Sequence, residues 1–253
     1  MTRSLGWLRQ FDAPGRPDAA PLVICPHAGT GAASYRAFSK AFSAYFSVYL
    51  LQYPGRQDRL AEPAATSIAE LGGASLAEFA TSPYHRGRPV TLFGHSMGGI
   101  VAFEFARAAE AAGVPVATLA VSAVVAPSQI ADLPPHPSED EEILSRLTAL
   151  QGTSAEILAS REILRMALPV LKADYAAIDA YTCEPDVTVS APVVALDGDR
   201  DPIVSLADLY GWGRHTTAGV SVSLFSGGHF YLNDNVEGIA ETLGATAGAE
   251  ASR

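Results

Sequence analysis

VTLFGHSMGGIVAFEFA, residues 90–106, decides the fold. Val90–Phe93 reads as a buried strand, and Gly94-His95-Ser96-Met97-Gly98 as a sharp turn. Beyond it runs an apolar helix with Gly99 in its first turn. A GxSxG motif between a strand and a helix predicts a serine held in strained backbone at the tip of the turn. The flanking glycines leave room for the helix to pass close to the strand. The helix N-terminus aims its free amides at charge developing beside Ser96. His95, the neighbour, points away from that hydroxyl and is expected to pack or to make a supporting hydrogen bond.

Similar apolar runs recur on both sides of this unit, at 22–26, 46–51, 117–126, 192–198 and 220–225. Each fits a buried parallel strand. Stretches of helical length separate them, including 34–46, 67–80 and 97–113. This alternation predicts a mostly parallel, doubly wound α/β sheet with helices on both faces, as one domain over residues 1–253. From about 127 to 186 the rhythm breaks, because no strand appears. SEDEEILSRLTAL (138–150) offers Ser138 as a helix cap followed by a run of acidic residues, and residues 161–181 continue in helical period. PPHP at 134–137 favours an extended lead-in. The segment is too long for one crossover, so a helical lid insertion is expected. The last ten residues, GATAGAEASR, read as a frayed tail.

Composition narrows the function classes. Hydrophobic residues make up 48% of the 253, enough for a large core. The net charge is −10 and no Lys/Arg run occurs, which argues against nucleic acid or an anionic membrane surface. No stretch is long and apolar enough to span a bilayer, and no signal-peptide core is seen, so a cytoplasmic protein is expected. Cys25 and Cys183 lack metal-ligand spacing and read as inert thiols in a reducing compartment. No metal is called for, and a monomer is expected.

A serine hydroxyl is a poor nucleophile at neutral pH. It needs a histidine to take its proton and a carboxylate to orient that histidine. With the chain order Ser, acid, His, the candidate bases are His136, His215 and His229. His136 lies between prolines in the insertion and His215 precedes the last strand, whereas His229 follows that strand, on the edge where Ser96 emerges. For the acid, PVVALDGDRDPIV (192–204) offers Asp197, Asp199 and Asp201. Asp201 lies in the loop beyond the strand, followed by a proline, and is preferred. Asp199 is the runner-up, as a turn carboxylate. Two backbone amides should receive the oxyanion: that of Met97, and that of Ala28 in the glycine-rich loop LVICPHAGTGAASY (22–35), with His27 and Gly29 shaping the turn.

Taken together, PHAG (26–29), YPGRQDR (53–59), GHSMGG (94–99), GDRDP (198–202) and GGHFYL (227–232) resemble the type II thioesterases that accompany polyketide and nonribosomal-peptide synthases, of the α/β-hydrolase superfamily. The resemblance covers nearly the whole chain. It implies hydrolysis of acyl thioesters carried on the phosphopantetheine arm of acyl or peptidyl carrier domains, with no dissociable cofactor. It assigns Ser96 as nucleophile, Asp201 as acid, His229 as base and the Ala28 and Met97 amides as oxyanion donors. Arg56 and Arg59 match the family's basic pair, as a loop-holding salt bridge or a substrate contact. HAGTG departs from the HAGG of many related sequences. Carrier domains are usually acidic, so the net charge of −10 provides no general attraction, and docking must rest on a local patch. A carboxylesterase or lipase, an acyltransferase, and a noncatalytic binding protein are the competing readings.

Overall fold

The computed structural model describes residues 6–150 and 161–250. Seven strands form one sheet: β1 (Leu8–Arg9), β2 (Pro21–Cys25), β3 (Ser47–Leu51), β4 (Val90–His95), β5 (Val116–Ser122), β6 (Val193–Gly198) and β7 (Val220–Phe225). They lie in the order β1-β3-β2-β4-β5-β6-β7, and only β1 runs antiparallel to its neighbour. The strand runs expected from sequence correspond to β2–β7. The two-residue β1 was not anticipated, being too short to show any periodicity. In the expected run 117–126 the strand stops at Ser122, and Ala123 takes a positive φ of 51°.

Helices cover both faces. On one side lie α2 (Ile68–Thr81) and α3 (Met97–Ala111), whose Leu71, Phe79, Ile100 and Phe103 pack with Val23, Leu92 and Val121 of the sheet. On the other, α1 (Arg36–Phe42) and α7 (Val236–Glu250) contribute Phe38, Phe42, Ile239 and Leu243 against Ile24, Phe93 and Ala120. Being covered twice, β2 and β4 are buried at every position and need no alternation of polar residues. The short α6 (Leu206–Gly211) follows β6.

Between β5 and β6 the chain forms a 3-10 turn (Pro127–Asp132), then α4 (Asp140–Ala149) and α5 (Arg161–Asp179), with no strand among the described residues. Residues 151–160, within the expected helical insertion, lie outside the described residues. The extended 134–137 stretch has no regular structure, as its prolines imply. Ile143, Leu171 and Tyr175 give α4 and α5 a small apolar cluster of their own. Two expectations are corrected. Ser138 does not cap α4: the N-cap is Glu139, which makes no side-chain cap bond, and the acidic first turn Asp140–Glu142 is left to complement the helix N-terminus. The tail from Gly244 is not frayed up to Glu250, because α7 continues through it, and Gly244 itself lies against Tyr45.

The chain moves outward from β2 to β3 and then returns across to β4. The carboxyl ends of β2 and β4 therefore flank a topological switch point, where open α/β sheets form their crevices. Cys25 is in register with Gly94, and Gly94 with Val121, so the loops after β2, β4 and β5 emerge side by side.

Candidate active site

Ser96 stands between the last residue of β4 and the first of α3, with φ 53° and ψ −126°. For a residue with a Cβ this backbone is strained, and such strain persists only where the surroundings fix it. Here Ser96 N donates to Ser122 O at 2.8 Å, and Gly99 N donates back to Ser96 O at 2.8 Å. A Cβ on Gly94 would fall 2.0 Å from Gly98 O, and one on Gly98 would fall 2.1 Å from Cys25 O. These two glycines let the helix cross directly over the strand ends and present the serine. Ser96 lines the cavity described below, and its hydroxyl makes no hydrogen bond among the described residues.

Asp201 and His229 meet across the loops after β6 and β7. Asp201 Oδ2 lies 2.8 Å from His229 Nδ1, with the two side chains 0% and 6% exposed. The other Asp201 oxygen accepts from Ile203 N at 2.7 Å. Burial alone would raise the Asp201 carboxyl, but the His229 contact and the Ile203 amide hold it below the usual carboxylate range. An ionised Asp201 fixes the proton of His229 on Nδ1 and leaves Nε2 for a substrate-side partner. His229 lines the same cavity as Ser96. Asp199 takes no part: it accepts from Gly227 N at 2.9 Å and sits near Arg200 on the surface. Asp197, 1% exposed, neighbours Asp201, and burial followed by the Asp201 charge pushes its carboxyl up to about 8. One proton thus resides between the two acids, and it resides on Asp197, because only Asp201 has a histidine to stabilise its charge.

His95, His215, His136 and His27 are each engaged by other partners. His95 is fully buried, and its Nδ1 bonds Ser122 Oγ at 2.9 Å, which in turn bonds Tyr231 OH at 2.8 Å. Burial, with His229 and His27 nearby, pushes its pKa well below the usual value, so it stays neutral. His215 bridges Val187 O and Ser128 Oγ at 2.7 and 2.9 Å. His136 pairs with Asp179 at 2.5 Å and stacks on Tyr175. His27 Nδ1 bonds Tyr35 OH at 2.7 Å, and burial, then His229, lowers its pKa to about 3.

Met97, as the first residue of α3, has an amide with no helical carbonyl before it. In the loop after β2, the Ala28 amide donates no hydrogen bond among the described residues, whereas its neighbours are engaged. His27 N donates to Tyr35 OH at 3.4 Å and Gly29 N to Asp174 Oδ2 at 2.7 Å. Ala28, Met97, Ser96 and His229 all border one cavity of about 880 Å³. Its walls are Val124, Val125, Ile130 and Leu133 after β5, Leu147 of α4, Leu168, Leu171, Tyr175 and Ile178 of α5, and Ile203 and Phe230 from the loops. The segment between β5 and β6 therefore supplies much of an apolar chamber above the serine, of the size that holds a small organic group.

Arg56 also borders this cavity, yet its charge is taken up. Its guanidinium grips both oxygens of Asp174 on α5 at 2.7 and 2.8 Å. Arg59 pairs with Glu62 and stacks over Trp7. Of the two roles open to this basic pair, the salt bridge is the one the contacts display. Asp174 escaped the sequence reading. Asp174 lies 118 positions from Arg56 in an amphipathic helix, and nothing local marks a buried acid there. Asp197 stood among the three candidate acids, but nothing local marked it as a buried neighbour of Asp201. Among the described residues no cluster of three or more His, Cys, Asp or Glu is arranged to hold a metal ion. No helix among them is long and apolar enough to cross a membrane.

Comparison with known proteins places this geometry in context. Residues 20–246 match the thioesterase domain family. The chain is 41% identical over 240 residues to the phenyloxazoline synthase MbtB of Mycobacterium tuberculosis, covering 94% of this chain but only 17% of that much longer protein. To thioesterase PikA5 of Streptomyces venezuelae it is 40% identical over 252 residues, covering 98% of this chain and 89% of the relative. Among solved structures, the type II thioesterase BorB of the borrelidin biosynthetic cluster superposes with a TM-score of 0.81 at 36% identity, over 95% of this chain and 97% of that one.

Proposed function

This chain belongs to the thioesterase domain family of α/β-hydrolases, and on that premise we propose that it hydrolyses acyl thioesters borne on the phosphopantetheine arm of carrier domains, through an acyl-serine. One observation carries the reading: Ser96, on a positive-φ turn, shares an apolar chamber with the buried Asp201–His229 pair. Ser96 Oγ attacks the thioester carbonyl while His229 Nε2 takes its proton. The Ala28 and Met97 amides receive the oxyanion. The carbon–sulfur bond then breaks, and His229 returns the proton to the departing pantetheine thiolate. Water, deprotonated by the same histidine, attacks the acyl-serine and releases a carboxylic acid and the free serine. Ser96 Oγ and His229 Nε2, which border the same cavity, form no hydrogen bond here, and such catalytic contacts commonly tighten only when substrate is bound.

The partner supplies the pantetheine, and the chemistry requires no further cofactor. The segment at about 127–186 acts as a lid over the acyl chamber of a single-domain monomer. Free Cys25 and Cys183 suit a reducing cytoplasm. Neither nucleic acid nor membrane is a partner, in keeping with the net charge of −10. The test is turnover of an acyl-pantetheine thioester against the matched oxygen ester, in wild type and Ser96→Ala. A clear thioester preference is expected, with about a millionfold loss in the variant, as in a comparable triad enzyme. Wild-type turnover by Ser96→Ala, or a large preference for the oxygen ester, would refute it.

A further inference from the structure

The pairing of Arg56 with Asp174 is hard to account for as a stabilising device. Both side chains are almost wholly buried, 5% and 2% exposed. Ion pairs removed from water in this way are often no more stabilising than apolar residues of the same volume. What distinguishes this pair is its third participant. Asp174 Oδ2, besides accepting from Arg56 Nη1, accepts from Gly29 N at 2.7 Å, and Arg56 Nη1 also reaches Thr30 O at 3.1 Å. Leu171, one helical turn before Asp174 on α5, bears on Gly29 from above. A Cβ at that glycine, whose φ is +76°, would meet Leu171 at 3.0 Å.

Ala28 is thus clamped on both sides. Upstream, Tyr35 holds His27. Downstream, Asp174 fixes the peptide plane that joins Ala28 to Gly29. A turn bond from Thr30 N to His27 O, at 3.3 Å, closes the loop. The Ala28 amide is the one left unspent.

We infer that Asp174, oriented by Arg56, is a positioning residue that sets the Ala28 amide for the oxyanion, so that the helical segment over the chamber is part of the catalytic apparatus and not only its cover. The inference rests on the serine mechanism proposed above. It assigns to α5 two tasks: walling the acyl group with Leu171 and Tyr175, and holding an amide donor through Asp174.

Two variants test it. Asp174→Asn is close to isosteric but presents Arg56 and Gly29 with one acceptor oxygen instead of two. The double variant Arg56→Met with Asp174→Leu replaces the buried charges by apolar side chains, a change compatible with a folded chain, and removes the clamp outright. Each is read by kcat and KM on an acyl-pantetheine thioester, and by the rate at which a fluorophosphonate labels Ser96. That reagent's phosphoryl oxygen enters the oxyanion position. Leu243→Ala, in the distant α1–α7 core, serves as a control of lowered stability.

In both folded variants kcat and the labelling rate are expected to fall together by about 10- to 100-fold, with KM changed less than about threefold, in line with partial loss of one oxyanion donor. Wild-type kcat and labelling in either folded variant overturns the inference, and so does a fall no larger than that of Leu243→Ala. Failure of the underlying reading looks different: the wild type itself then neither turns over the thioester nor takes up the reagent.

Discussion

Asp201 and Asp199 are two positions apart and chemically identical, yet only one reaches the histidine. The difference is the backbone path. Asp199 still follows the line of β6 and is spent on the Gly227 amide, while Asp201 has turned into the loop, pinned by its own bond to Ile203 N. Asp201→Asn should therefore lower kcat about 10⁴-fold, as the amide would hold the imidazole in the wrong tautomer. Asp199→Asn should leave kcat within about threefold. Steady-state kinetics on the two variants separates them, and equal losses would return the acid to an open question between the two.

At the level of elements, the crossing of α3 over the ends of β2 and β4 leaves no room for a side chain at Gly94 or Gly98. A methyl group at Gly98 has no flexible side chain to displace, only the Cys25 carbonyl and its neighbours. Gly98→Ala should cost about 3 kcal/mol or more in urea unfolding, the upper end for overpacking, because main chain must shift. It should also lower activity by moving Met97. This crossing was legible from residues 90–106, since the motif itself states the need for glycine on both sides of the serine. The positions of β2–β7 were legible as well, because doubly covered strands appear as uninterrupted apolar runs. β1 had no period to read. The start of α4 was misread because Ser138 had the chemistry of a cap without the position, and the tail was misread because its small residues suggested a loose end although α7 packs on the sheet. Long-range pairings such as Asp174 with Gly29 leave no trace in local pattern.

For the molecule as a whole, the carboxyl pair under the histidine links stability to pH. Asp197 is harder to ionise in the folded chain than in the unfolded one. Its contribution is complete below its ordinary value of 3.8 and is lost as the pH rises toward about 8. Asp197→Asn imitates the protonated acid and removes this dependence. Melting curves at pH 5 and pH 8 should show the variant gaining on wild type by at least about 3 °C across the interval, since 1 kcal/mol corresponds to about 2–4 °C in a chain of this size. A constant gap would mean that Asp197 is ionised throughout. Asp201 acts in the opposite sense: its folded value is depressed, so its contribution is present above the ordinary carboxylate range and fades only in acid.

The long excursion between β5 and β6 leaves the sheet and returns to it once, and it brings with it much of the wall that a bound acyl group would touch. In evolutionary bookkeeping, this makes the excursion a cassette that recombination could trade among relatives to alter which acids are released. The trade has one condition. The incoming stretch must bring an acid to meet the arginine of the host, or the exchanged enzyme inherits a new appetite with a slackened grip on its own chemistry.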